Sequence, residues 1–269
     1  MSHEAWTLLG TPTAGGVLVV SDHASARVPE DIDLGIDPAL LTQHVAIDIG
    51  VAEIGALLAQ VPGVAAFLGG VSRLVCDFNR DADAPAVVPL ASDGHPIPGN
   101  ALDEAGRAAR LARFFDPYHA ALEQVLSAYD PALILSLHSF TPRLSSDPAQ
   151  ARPWHVGVLY NQDERAARLA LDWLAQEPGL CVGDQQPYSG RLLNATMNRH
   201  AEAHGRPYVG LELRQDLIGD AEGRPHGQNG SVACCRRWLQ AFRKSRKRNL
   251  GPAAAGGVGA RSCARAVRT

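Results

Sequence analysis

The chain has 269 residues, 46% of them hydrophobic and 20% charged, which suits a globular protein with a substantial core. Its 25 basic and 28 acidic residues give a net charge of -3. No apolar run approaches the roughly 20 residues needed to span a bilayer, so membrane and strongly basic nucleic-acid-binding classes are excluded.

In chain order, MSHEAWTLLGTPTAGG lacks the basic-then-apolar pattern of a secretory leader. Gly16 to Val20 is a β-branched run that reads as a buried strand of a mostly parallel sheet, ending at Ser21-Asp22-His23. Asp37-Pro38 predicts an N-cap with Pro at the first helical position, opening a helix to about Gln60. Pro62-Gly63 stops it. Strands are expected near Val64 to Leu68 and Arg73 to Cys76, joined by a hairpin-like turn at Gly69-Gly70.

Residues 81–100 form a long Pro/Gly/Asp-rich loop, of the kind that walls or covers an active site. Helices at about 103–114 and 117–129 follow, with a break at Asp116-Pro117. Ala132 to Leu137 reads as a buried strand ending at His138, and Val156 to Tyr160 as another. Helices near 163–176 and 194–204, a strand at Tyr208 to Leu213 and a last helix from about Gln228 complete the pattern. This alternation predicts an α/β fold, a three-layer αβα sandwich around a mostly parallel mixed sheet. In such sheets sites gather at the carboxyl ends of strands.

From Phe242 onward there are eight basic residues and no acidic ones, leaving 17 basic against 28 acidic in the body. Residues 1–241 read as one domain and 242–269 as a basic, disordered tail. The five cysteines are sparse, odd in number and form no C-x-x-C pair, so reduced thiols and a cytoplasmic location are expected.

Four segments concentrate reactive side chains. They are Ser21 to Ser25 after one strand, His44 to Asp48 in the expected helix, Ser136 to Ser139 after another strand, and Leu211 to Asp216, where Glu212 interrupts an apolar strand. A single strand-end histidine serves equally well as a hydrogen-bonded structural residue. Two of them with a helix carboxylate and a strand glutamate point towards a metal site. Arg73 and Arg80 offer planar forks for a carboxylate, with Asn79 beside the second. The same arginines could instead pair with Asp77 and Asp81 as a structural network. No G-x-S-x-G, G-x-G-x-x-G or G-K-[ST] motif occurs, which argues against a common serine hydrolase or a nucleotide site.

The ordered stretches SDHAS, HVAIDIG, SRLVCDFNRD, HPIPGN, PYH, LHSFTP, RPWHVGVLYN and ELRQDLI resemble the N-formylglutamate amidohydrolase family from about Val17 to about Leu239. The resemblance implies a fold related to zinc-dependent exopeptidases and aspartoacylase-like deacylases. It also implies one Zn²⁺ held by two histidines and a carboxylate. By that likeness His23 and His138 are the histidine ligands and Glu212 the general base. Arg73, Asn79 and Arg80 would hold the substrate carboxylate, with Ser139 and Arg214 beside the substrate. The related peptidases place their carboxylate ligand three residues after the first histidine, where this chain has Ala26. Asp48 is the expected substitute, with His44 and Asp22 as alternatives. The implied activity is hydrolysis of the amide of N-formyl-L-glutamate, a small-molecule substrate. Alternatives are another N-acyl amino acid, a cell-wall amide, or an anion-binding protein without catalysis.

Overall fold

The computed structural model describes residues 1–218. The expected helix from Gln228 and the basic tail lie outside the described residues.

Two short strands, β1 (Ser2–His3) and β2 (Trp6–Gly10), precede β3 (Val17–Ser21). Helix α1 (Val51–Leu58) and β4 (Val64–Gly69) follow. The long loop holds the small hairpin β5 (Ala91–Ser92) and β6 (His95–Pro96). Next come α2 (Glu104–Arg110), α3 (Asp116–Tyr129) and β7 (Leu133–Phe140). Then β8 (Val156–Leu159), α4 (Arg165–Leu174), β9 (Val182–Asp184), α5 (Ala195–His200) and β10 (Tyr208–Arg214) complete the described chain. The main sheet runs β1-β2-β4-β3-β7-β10-β8-β9. Its centre, β4-β3-β7-β10, is parallel, while β2 and β8 pair antiparallel to that block.

Alternation along the central strands separates two apolar layers. Leu18 and Val20 face a layer completed by Phe67, Ile134, Phe114, Phe115, Tyr118, Leu122 and Leu126. Val17 and Val19 face the opposite one, with Val51, Ile54 and Leu58 of α1 and Ala166, Ala167, Ala170 and Leu174 of α4. Fully burying side chains such as Leu122 or Leu126 stabilises the fold by roughly 1.5–3 kcal/mol each. The three-layer αβα expectation therefore holds.

Several local expectations do not. Asp37 does cap a turn at Pro38, its carboxylate accepting from Ala39 N at 2.9 Å, but that turn is a 3-10 segment ending at Thr42. No helix runs from there to Gln60. Asp48 N donates instead to the His23 carbonyl at 3.0 Å, and Gly50 takes a left-handed φ of 85° just before α1. Both features divert the backbone from the helical ladder. The segment 71–76 is not a strand. Ser72 folds it into turns by accepting from Val75 N at 2.8 Å and donating its hydroxyl to the Ala46 carbonyl at 2.8 Å. Gly69-Gly70 is accordingly no hairpin. A Cβ at Gly69 would run into the Asp22 carbonyl, so this glycine permits close approach of the ends of β3 and β4. The break expected at Asp116-Pro117 is absent too. A π-helical turn, Leu111–Phe115, joins α2 to α3. The wider turn brings two consecutive aromatics, Phe114 and Phe115, into the core, and Pro117 falls in the first turn of α3. Among the described residues, Cys76 is free and buried.

Candidate metal centre and active site

The parallel strands direct their carboxyl ends to one edge of the sheet, and four functional segments meet there. His23 lies two residues beyond β3. His138 lies within β7, two residues before its end, rather than at a strand terminus as the sequence suggests. Glu212 sits on β10 directly opposite His138 in parallel register. Asp48 arrives from the irregular loop, pinned by its backbone bond to His23.

One ligand atom from each of His23, Asp48 and His138 lies within 4.8 Å of the others, and all three residues are buried. Asp48 Oδ2 stands 3.3 Å from His23 Nδ1 and 2.9 Å from His138 Nδ1. The outer nitrogens of both rings are occupied. His23 Nε2 lies 2.7 Å from Asp77 Oδ1, and His138 Nε2 lies 3.2 Å from Ser136 Oγ and 3.6 Å from Asp22 Oδ2. If each outer nitrogen carries the ring proton, each Nδ1 turns a lone pair towards a carboxylate oxygen. Three lone-pair carriers at such distances need a cation, either a proton or a metal, between them. The titration behaviour agrees. Burial alone would depress His138, yet the hydrogen bond and charge of Asp48 push it up to about 9. For His23, burial and Arg73 act downward, but Asp77 and Asp48 prevail and raise it. Burial opposes ionisation of Asp48, but His23 and His138 hold it well below the usual carboxylate range. Two imidazoles and one carboxylate form a donor set suited to a divalent ion.

Neither alternative third ligand joins this group. His44 bonds to Asp93 at 2.8 Å. Asp22 stands behind His138, with Oδ1 accepting from Tyr118 at 2.7 Å and from Thr196 at 2.9 Å.

Glu212 is buried, and its Oε2 has no hydrogen-bond partner. Burial raises its carboxyl to about 7 against the downward pull of His138, Arg73 and His23. Arg73 spans two acids, donating to Asp48 Oδ1 at 3.1 Å and to Asp77 Oδ2 at 3.2 Å. The network reading of the arginine segment is met in part: Arg73 pairs with Asp77, and also with Asp48 of the histidine cluster. Arg80 approaches Asp77 only at 3.8 Å. Asn79 Oδ1 accepts from Thr196 N at 3.1 Å, which ties the arginine segment to the start of α5. Ser139 donates to the Ile49 carbonyl at 2.8 Å and so braces the Asp48 loop. Arg214 is turned to Asp216 at 2.8 Å and the Pro153 carbonyl at 3.2 Å, and no contact joins it to the histidines.

Sequence reasoning placed Asp77 only as an ion-pair partner. Its position between Arg73 and Arg80 marks it as a centre of charge, but its bond to His23 depends on a turn that reads as strand.

The sequence pattern of the N-formylglutamate amidohydrolase family matches residues 15–219. The chain belongs to that family. A gene product of Agrobacterium tumefaciens of known crystal structure superposes with a TM-score of 0.83 at 28% identity, covering 91% of this chain and 97% of that one. The N-formylglutamate amidohydrolase of Ralstonia eutropha JMP134 superposes with a TM-score of 0.64 at 20% identity, over 91% of this chain and 99% of that one, which shows a shared fold. No curated protein matches by sequence. As a member of the N-formylglutamate amidohydrolase family, the protein is a hydrolase acting on amides. Among its described residues, no helix is long and apolar enough to cross a membrane.

Proposed function

We propose that the protein hydrolyses the amide of N-formyl-L-glutamate or a closely similar N-acyl acidic amino acid, with one divalent metal ion, best read as Zn²⁺, held by His23, Asp48 and His138. The observation that carries this reading is the convergence of one ligand atom from each of His23, Asp48 and His138 within 4.8 Å, beside a buried glutamate on the adjoining strand. Such an ion would supply positive charge for a developing oxyanion and lower the pKa of a water molecule towards about 7.

The chain's own residues do the rest. Glu212 takes a proton from water as it attacks the acyl carbon, then delivers it to the leaving amine nitrogen. Its elevated pKa suits both halves of that transfer near neutrality. Asp77 fixes the ring of His23 through Nε2, while Ser136 and Asp22 fix that of His138. Arg80, whose ion pair with Asp77 is long at 3.8 Å, would take a substrate carboxylate. Arg73 contributes charge to the same flank while tied to Asp48 and Asp77. For N-formylglutamate the products are formate and glutamate.

The decisive experiment measures metal stoichiometry and formate release together. One metal per chain, formate release abolished by chelation and restored by Zn²⁺, and metal lost in His138→Ala are the expected results. Full stoichiometry in His138→Ala would remove it from the ligand set. A metal-loaded enzyme that spares N-formylglutamate but cleaves other N-acyl amino acids would move the substrate assignment within the family.

A further inference from the structure

A buried charge needs a counter-charge, and one arginine near the site has no acidic partner among the described residues. Arg152 is only 5% exposed. Its Nε donates to Gln150 Oε1 at 3.1 Å, and Nη1 to Tyr188 Oη at 3.0 Å and to the Thr141 carbonyl at 3.4 Å. The guanidinium also lies 5.0 Å from the centre of the Tyr188 ring. All these partners are neutral. No carboxylate among the described residues pairs with Arg152, whereas Arg73, Arg113, Arg165, Arg168 and Arg206 all have acidic partners. Burying a cation without a counter-charge is costly, and a cost retained in this way commonly serves an anionic ligand.

The placement says which anion. Thr141 follows β7, three residues after His138, so Arg152 is anchored at the carboxyl edge where the cluster forms. Tyr188 belongs to the segment that crosses Gly157. A Cβ on Gly157 would meet the Gln186 carbonyl, and the Glu212 side chain lies 3.3 Å from the same point. The Tyr188 hydroxyl is itself raised, first by burial and then by the charge of Glu212. Across the sheet, Arg80 follows β4 and Arg152 precedes β8, and β3, β7 and β10 lie between. Arg152 is thus held beside the segment that follows β7, while Arg80 lies beside Asp77, the partner of His23.

We infer that Arg152, steadied by Tyr188, binds the second carboxylate of a dicarboxylic N-acyl amino acid and sets the preference for acidic substrates. This rests on the proposed amidohydrolase reading, with Arg80 taking the other carboxylate. The step is binding only: Nη2 of Arg152, which donates to no group among the described residues, donates to the carboxylate, and Tyr188 Oη holds the guanidinium in place.

The test uses the full chain loaded with zinc. Glutarate, a dicarboxylate without a scissile amide, and butyrate are titrated by calorimetry into wild type, Arg152→Gln and Tyr188→Phe. Formate release is followed in parallel from N-formylglutamate and N-formylglutamine. Arg152→Gln is expected to weaken glutarate roughly ten- to hundred-fold, towards the butyrate level. KM for N-formylglutamate should rise by a similar factor with a smaller change in kcat, and the loss should be far larger than for N-formylglutamine. Tyr188→Phe should lose roughly three- to ten-fold in glutarate affinity, and it decides the matter if Arg152→Gln fails to fold. Equal wild-type affinity for glutarate and butyrate, or glutarate affinity unchanged by the substitutions, overturns the inference. Failure of the wild type to release formate strikes the proposed function alone, because the glutarate comparison still decides Arg152.

Discussion

A carboxyl group shut away from water beside two imidazoles must balance the cost of its own charge against theirs, and Glu212 comes to rest at about 7. Below that value it holds a proton and cannot accept another. With Glu212 as the proposed base, the rising limb of kcat/KM with pH is expected to belong to this group and to lie at or below pH 7, since the proposed cation would stabilise the ionised carboxylate. Glu212→Gln keeps the shape and removes the base. Turnover should fall by about 10²- to 10⁴-fold with metal content intact, and the rising limb should vanish from the residual rate. A variant with wild-type turnover, or one that loses its metal, would move the proton-transfer role elsewhere. The sequence pointed to Glu212 because a lone acid in an apolar strand is conspicuous. Arg152 carried no such signal, because only its surroundings reveal that it is buried without a counter-charge.

Among the elements, the loop leading into α1 matters most. It brings Asp48 to the histidines, and it turns at Gly50 with a φ of 85°. A Cβ there would stand 2.8 Å from the Ile218 carbonyl. Gly50→Ala combines left-handed strain with that clash, at a cost of about 1–3 kcal/mol. A lowered melting temperature and a weaker metal dissociation constant are expected together, because Asp48 and the Ile49 carbonyl that anchors Ser139 share the loop. An unchanged metal affinity would show that Asp48 is held by its side-chain partners alone. The same loop explains where sequence reading stopped. His44 and Asp48, four residues apart, suggest one helix face, but the Asp48 N–H that would extend that helix is committed to the distant His23 carbonyl. The strands were legible because their apolar runs are continuous and buried on both faces. The segment 71–76 was misread because Leu74, Val75 and Cys76 imitate such a run while Ser72 folds them into turns.

At the scale of the molecule, α3 and α5, which pack in one layer on the same face of the sheet, are tied together by a polar cluster. Glu123 on α3 accepts a forked pair from Arg206 at 3.0 and 2.8 Å and faces His200 Nδ1 on α5 at 3.0 Å. The Arg206 hydrogen bonds, aided by His200 against the effect of burial, hold the Glu123 carboxyl well below its ordinary 4.5. A depressed folded-state pKa contributes stability that is complete above the unfolded value and is lost as pH falls below it. The melting temperature should therefore drop as pH falls below about 4.5, and more steeply in wild type than in Glu123→Gln. Parallel acid limbs would assign the acid sensitivity to other groups. The overall architecture followed from the strand–helix alternation, and the family from short stretches dispersed along it. Asp48 was named only as a substitute for the acid missing at Ala26, since no spacing rule connects it to histidines 25 and 90 residues away.

The pairing of Glu212 with His138 has a further consequence. Neighbouring strands in a ladder keep a separation fixed by their backbone hydrogen bonds, about 4.8 Å. The interval between His138 and Glu212, the proposed ligand and proton acceptor, is thus built into the weave of the sheet rather than into any loop. Loops at the rim, including those that carry Arg80 and Arg152, are free to diverge in length and sequence without retuning that interval. Substrate choice and proton transfer can then evolve, or be engineered, as separable properties.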